Sequence, residues 1–410
     1  MKYLETYAEL VLQTGISLRP KQNLYIRTGP DTYHFAALIA ELAYARGAGY
    51  VYVDLLDNRL LSRRLQLQDT EAITHMPAFL RSLHDELLSH DWAYIRIHNT
   101  EDEHFLEASD PGKLKEYNRS IRQQLQTFYS SLMRDEHPWC VVTCPGDTWA
   151  KSVLGGSADA EQLWEVLIPI LKLDHDDPPA AWQAFSRELQ DRSAMLAETE
   201  IEILHFEGPG TDLKIGISEE AMWIGGTALL PDGREFMPNI PTEELFTTPD
   251  FRQVSGYVTC SKPFSLFGKQ IGNVRLEYCE GELISYTAAS AEDTELLSQY
   301  FSIDEGASRL GEVALVDQNS AIAASNLLFH NTLFDENAAC HVALGAGYPA
   351  CIPALNGADT DTLLQHGCNV SVVHTDMMIG SDDLQVTARC RDGSTRAVMR
   401  DGRFCLPSVP

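Results

Sequence analysis

Over its first 175 residues the chain alternates short runs of β-branched and aromatic residues with longer stretches of helical periodicity, and few architectures tolerate that rhythm. The runs are NLYIRT from residue 23, YVYVDLL from 50, DWAYIRIH from 91 and WCVVTC from 139, with helices predicted over 33–46, near 77–89, near 112–132 and over 160–173. Strand, helix, strand, repeated, predicts a parallel sheet with helices on its faces. The acidic, proline-containing stretch LDHDDPPAAW at 173–182 closes this region and leads into one more helix, to about residue 198. Beyond residue 200, strands joined by Gly, Pro and Asp turns dominate, as in IEILHFEGPGTDLKIGI, VSGYVTC, GKQIGNVRLEY and LQVTARCRDGSTRAVMRDGRF, with one helix around 291–310. The expected fold is α/β in two domains: a parallel-sheet α/β domain over 1–175, then a strand-rich α+β catalytic domain over 176–410.

A parallel α/β half raises the question of a nucleotide site, yet no G-x-G-x-x-G follows a strand and no G-x-x-x-x-G-K-[ST] occurs. Gly47-Ala48-Gly49 precedes its strand and reads as a turn. Gly155-Gly156-Ser157 lacks the second glycine of a nucleophile elbow, which removes a serine hydrolase. With 59 acidic against 31 basic residues the net charge is -28, which repels nucleic-acid phosphates and anionic membrane surfaces. No uninterrupted apolar run reaches the roughly 18 residues of a membrane span, and Glu5 and Glu9 break the opening MKYLETYAELVL, so it reads as a helix and not a signal peptide. Nine cysteines without a C-x-x-C pair fit reduced thiols and a cytoplasmic address.

Metal chemistry has more support. In VVHTDMMIG, Val372, Val373 and Met377 suit a buried strand, and a strand puts His374 and Asp376, two apart, on one face. Such a pair is half of a shell for a divalent ion such as zinc, cobalt or manganese; a buried His–Asp hydrogen-bonded pair has the same spacing. CHVALGAGYP carries His341 in a second apolar strand, where Cys340 faces the other way and is not counted as a ligand. Tyr348 lies beyond Gly345 and Gly347; it reads either as a packed aromatic or as a phenol able to donate to a developing oxyanion. GEVALV carries Glu312, a carboxylate that is costly in an apolar strand unless paired or metal-bound. NIPTEELFT carries Glu243 and Glu244 after Pro241, and of two adjacent side chains only one readily faces a given site; a solvated acidic turn is the competing reading. Three carboxylates and two imidazoles without a thiolate match the needs of two hydrolytic divalent ions sharing one water.

Together NIPTEELFT, RLGEVALV, NTLFDENAACHVALGAGYP and NVSVVHTDMMIGS resemble the aminopeptidase T family of metallo-aminopeptidases, which includes aminopeptidase S. The likeness extends to YAELVLQTGISLRPKQNLYI, WAKSVLGG, DDPPAAW and GPGTDLKIGI, and so spans nearly the whole chain. It implies removal of N-terminal residues from peptides with a free N-terminus, by a two-metal-activated water, in a homodimer. It implies Glu244, Glu312, His341, His374 and Asp376 as ligands of two divalent ions (zinc, cobalt, manganese or magnesium), one of which holds the α-amine, with Tyr348 stabilising the tetrahedral intermediate. Glu243 and Glu312 are the candidates for general base. Two departures stand out: Thr375 puts a hydroxyl in the middle of the H-x-D string, and GAGY is unusually rich in glycine. The fold is also similar to that of ring-opening dihydroxypyridine dioxygenases, whose single iron would need only His341, His374 and Asp376; the presence of both Glu244 and Glu312 favours the peptidase.

Overall fold

The computed structural model describes residues 2–107, 109–267, 269–355 and 357–405. The chain forms two compact units, Met1–Gln183 with Thr227–Pro241 and Ala184–Gly226 with Thr242–Pro410.

In the first unit the four apolar runs become parallel strands β1 (Asn23–Thr28), β2 (Val51–Leu55), β3 (Trp92–His98) and β4 (Trp139–Thr143), in the order β2-β1-β3-β4. Ile26 pairs with Val53 on one side and Ile95 on the other, and Ile26, Ile95 and Val142 are fully buried. Polar caps mark where several of the connecting helices start: Asp57, Asp69 and Asp159 accept first-turn N–H groups, each worth about 1 kcal/mol. The single helix expected near 112–132 is two, Pro111–Gln124 and Gln126–Met133. The chain breaks at Leu125, which with Phe128 and Leu132 packs into the cluster of Tyr25, Trp92 and Tyr94; that tertiary cluster overrides continuous helical periodicity.

The second unit contains an eight-stranded antiparallel sheet, running from Glu282–Thr287 at one edge to Arg403–Phe404 at the other. It also contains a four-stranded antiparallel sheet of β5 (Glu244–Thr247), β6 (Leu310–Val316), β7 (His341–Gly345) and β8 (His374–Met378), in the order β8-β7-β6-β5. Leu204, Phe206, Leu213 and Ile215 of the larger sheet join Leu245, Val313, Leu315, Val342, Leu344 and Met377 of the smaller in one buried cluster. Each such side chain contributes about 1.5–3 kcal/mol on burial. The helix expected around 291–310 ends at Phe301 and resumes as a 3-10 turn over Glu305–Ser308. Between them the Asp304 carboxylate accepts from Ser371 Oγ and the Val372 N–H, long-range bonds that pull the backbone off the helical path. Short helices Ala321–Ser325, Thr332–Asp335 and Thr360–Gln365 were not expected; with four to six residues they carry no readable period. Val372, expected in a buried strand, is 75% exposed and precedes β8.

Among the described residues no helix is long and apolar enough to cross a membrane. All nine cysteines are free thiols, seven of them buried.

Candidate metal centre

Residues directly opposite one another in an antiparallel sheet project from the same face. In the four-stranded sheet Asp376 lies opposite Ala343 and His374 opposite Gly345. Glu312 lies opposite the same Ala343, and His341 opposite Ala314. Ala314 in turn faces Phe246, and Val316 faces Glu244. One face therefore carries His374, Asp376, His341, Glu312 and Glu244 around a floor of Ala343, Ala314 and Gly345, while the alternate residues enter the hydrophobic core. The small floor residues leave room between the polar heads. Two glycines make the register work. The β-bulge between Leu310 and Glu312 brings Gly311 against the next loop, where a Cβ would stand 2.2 Å from the Ala346 oxygen, and Gly345, at φ +106°, ends β7 where a Cβ would stand 2.1 Å from the Val373 oxygen.

Two triads result, Glu244–Glu312–His341 and Glu312–His374–Asp376, each with donor atoms within 4.8 Å of one another and with Glu312 common to both. His341 Nε2 is 3.4 Å from Glu244 Oε2 and 3.9 Å from Glu312 Oε1. His374 Nε2 is 3.1 Å from Glu312 Oε2 and 3.2 Å from Asp376 Oδ1. Each imidazole spends its other nitrogen on a backbone carbonyl: His374 Nδ1 donates to Ala346 at 2.8 Å and His341 Nδ1 to Ala339 at 3.2 Å. A carbonyl can only accept, so the neutral rings direct an Nε2 lone pair at carboxylate oxygens. That arrangement repels unless a proton or a cation stands between.

The electrostatics agree. Burial raises the Glu244 carboxyl well above its ordinary range, and the charges of Glu336, Glu312 and Asp376 raise it further. Burial alone would lower His374, but its bonds to Asp376 and Glu312 and their charges push it up to about 11. Burial opposes ionisation of Asp376 too, yet the hydrogen bond and charge of His374 hold it below the usual carboxylate value. Burial and then the surrounding carboxylates push the Tyr348 phenol well above its normal value, so it is a donor. Glu244 Oε2 is buried without a hydrogen-bond partner. A buried carboxylate oxygen without a donor is tolerated when a cation compensates it, and a set of three carboxylates and two imidazoles is the donor chemistry of divalent ions. The residues fit a metal.

Tyr348 Oη lies 3.3 Å from His374 Nε2, and its ring packs on both Phe246 and His374. Glu243 is buried next to Glu244 but outside both triads, with its backbone N–H on Asn337 Oδ1 at 2.6 Å. Cys340 Sγ bonds the backbone of Val316 and lies 3.6 Å from Met399 Sδ; burial pushes the thiol up to about 12. Thr375 does not wet the site, since its hydroxyl is 3.0 Å from Tyr300 Oη, on the side of the strand away from its neighbours His374 and Asp376.

One acid escaped the sequence reading. Glu336 sits in the turn Glu336–Ala338, which packs against β8, and its charge acts on Glu244, while those of Asp376 and Glu312 act on it. Its neighbours have structural duties: Asp335 accepts the N–H groups of Phe329 and Asn331, and Asn337 bridges Leu333 and Glu243. The available signal was a run of three polar residues, Asp335 to Asn337, directly before an apolar strand that carries a ligand-type histidine.

A family model described as thermophilic metalloprotease (M29) matches residues 1–404. Aminopeptidase 2 of Geobacillus stearothermophilus is 35% identical, over 99% of this chain and 98% of that protein. Aminopeptidase T of Thermus thermophilus is 33% identical, over 98% of each. Among solved structures, wild-type AmpT from Thermus thermophilus matches with a TM-score of 0.90 at 32% identity, over 98% of this chain and 99% of that one. The 2,5-dihydroxypyridine dioxygenase of Pseudomonas putida matches with a TM-score of 0.58 at 11% identity, over 99% and 97%; that likeness concerns the fold alone and lends nothing to a single-iron reading.

Proposed function

The chain belongs to the thermophilic metalloprotease (M29) family, and from that premise we propose how its centre works as a metal-dependent aminopeptidase. The observation that carries the proposal is the single sheet face on which Glu244, Glu312, His341, His374 and Asp376 converge as two triads sharing Glu312. In this reading those five residues hold two divalent ions of the zinc, cobalt, manganese or magnesium kind. When bound, the ions supply Lewis acidity toward the scissile carbonyl and lower the pKa of water.

The chain's own groups supply the rest. Ala346 and Ala339, as acceptors, keep both imidazoles in the tautomer that offers Nε2. Tyr348, held protonated by its surroundings, donates to the oxyanion that forms as the first peptide carbonyl becomes tetrahedral. Glu312 is engaged in both triads, whereas Glu336 lies outside them yet interacts through its charge with Glu244, Asp376 and Glu312, so Glu336 is the acid placed to take the proton from the attacking water and return it to the leaving amine. The substrates are peptides with a free N-terminus. The free, largely buried thiols support a reducing, cytoplasmic address; the homodimer rests on the family resemblance.

The test is hydrolysis of a panel of aminoacyl-arylamides by the metal-loaded chain, read beside its metal content. No hydrolysis of any member by a fully loaded chain would overturn the reading. Tyr348→Phe lowers kcat about 100- to 1,000-fold, with KM little changed and metal content intact; a kcat within threefold of wild type removes Tyr348 from the chemistry. Glu336→Gln lowers kcat about 100-fold and flattens the acid limb of the pH–rate profile. If Glu243→Gln does so instead, the base assignment moves to Glu243.

A further inference from the structure

We infer that Thr248 is a positioning residue of this centre: its buried hydroxyl clamps the backbone of Tyr348 and so fixes the loop 345–348 on which the phenol and the His374-orienting carbonyl both sit. The inference rests on the aminopeptidase reading for its kinetic consequence, not for its structural one.

The loop has two duties and little regular structure. Its Ala346 carbonyl holds His374 Nδ1 at 2.8 Å, and Tyr348 stands 3.3 Å from the other nitrogen of that ring. Strand β7 ends at Gly345, so sheet pairing does not define where Tyr348 goes. Thr248 does. Its Oγ1 accepts the Tyr348 N–H at 2.7 Å and donates to the Tyr348 carbonyl at 3.0 Å, so that one hydroxyl satisfies both polar groups of one residue across 100 positions of sequence. Thr248 is fully buried, and water is not at hand to replace either bond. Its methyl group lies beside Gly347, where a Cβ would meet Thr248 Cγ2 at 3.1 Å.

The clamp matters because of where Thr248 comes from. It follows β5 directly, the strand that brings in Glu244 and also Phe246, whose ring packs on that of Tyr348 with centroids 5.3 Å apart. One strand thus sets a triad carboxylate, supports the tyrosine ring and, through Thr248, pins the tyrosine backbone. Asn369 anchors the other end of the loop: its Nδ2 donates to the Gly345 carbonyl at 2.6 Å, and its carbonyl accepts the Gly347 N–H at 2.8 Å. With both ends tied the phenol has no slack. Removing the Thr248 hydroxyl frees the end that carries it.

The experiment compares Thr248→Val, which keeps the shape and loses both bonds, with Thr248→Ser, which keeps both bonds and loses the methyl. Thr248→Val is expected to lower kcat about 10- to 100-fold, the scale of an ångström of misplacement, with KM and metal content held. Thr248→Ser is expected to stay within threefold of wild type. Combined with Tyr348→Phe, Thr248→Val should cost much less than the product of the single losses, because both act through the phenol. Amide hydrogen exchange at Tyr348, which needs no substrate, should be at least tenfold faster in Thr248→Val than in wild type or Thr248→Ser. A kcat for Thr248→Val within twofold of wild type, a Thr248→Ser as slow as Thr248→Val, multiplicative losses, or unchanged exchange at Tyr348 would each overturn the inference. A loaded wild-type chain that cleaves no aminoacyl substrate overturns the aminopeptidase reading instead, and the exchange comparison then still decides the clamp.

Discussion

Stripped of divalent ions by a chelator, the chain loses at least about 10,000-fold in its hydrolysis of aminoacyl-arylamides and regains the rate when a suitable ion is restored. The estimate follows from the several kcal/mol that a Lewis acid contributes at such a centre, at about 1.4 kcal/mol per tenfold in rate. The structure adds a second expectation. Among the described residues, Glu244, Glu312, Glu336 and Asp376 are drawn together beside two imidazoles. Without cations, burial and mutual repulsion favour the protonated forms of Glu244 and Glu336, and His374 keeps its proton up to about 11. The stripped chain should therefore melt at a lower temperature, by an increment that grows with the logarithm of the concentration of restored ion. Activity that survives complete metal removal, with the melting curve unmoved, would sink the metal reading.

Glu312→Gln is the substitution with the largest expected effect, about 1,000-fold or more in kcat/KM, with loss of metal from the centre. Glu312 alone belongs to both triads, with Oε1 toward His341 and Oε2 toward His374. Glutamine keeps the length but replaces one of those oxygens with an amide nitrogen that has no lone pair to offer a cation, and it deletes a negative charge at the one point shared by both triads. The several kcal/mol that a bound Lewis acid supplies to the transition state, at about 1.4 kcal/mol per tenfold in rate, set the scale. Glu312 sits on the middle of the fully buried strand β6, flanked by Val313 and Ala314, so the isosteric amide should fold as the wild type does. Measuring metal per chain together with rate decides the matter: Glu312→Gln with a full metal complement and an undiminished rate would rule out a shared carboxylate.

Much of this centre was visible before any tertiary structure, for reasons that differ by residue. The two-residue spacing of His374 and Asp376 is a property of the extended chain, so their common face follows from strand geometry alone. Glu312 announced itself by cost, as a carboxylate inside LGEVALV, every residue of which is buried. The four parallel strands of the first unit were legible because each run is long enough to show its period. The break at Leu125 and the end of the helix at Phe301 were not, because a distant aromatic cluster and the Asp304 bonds to Ser371 and Val372 decide them. Nor did composition reveal that 227–241 returns to the first unit.

What the sequence by itself determined is the set of short-range facts: which segments are strands, which side chains alternate together, and which donor types stand in apolar surroundings. What only the tertiary structure decided is who meets whom. Glu244 enters a triad and Glu243 does not because Val316, not Leu315, pairs with Glu244 in the register of β5 and β6. Glu336 joins the acids because a turn without any period packs on β8, and Thr248 holds Tyr348 across 100 residues. The physical reason is that backbone geometry repeats over two to four residues and so writes itself into local spacing, whereas strand order and register are chosen by burial of the whole unit's core.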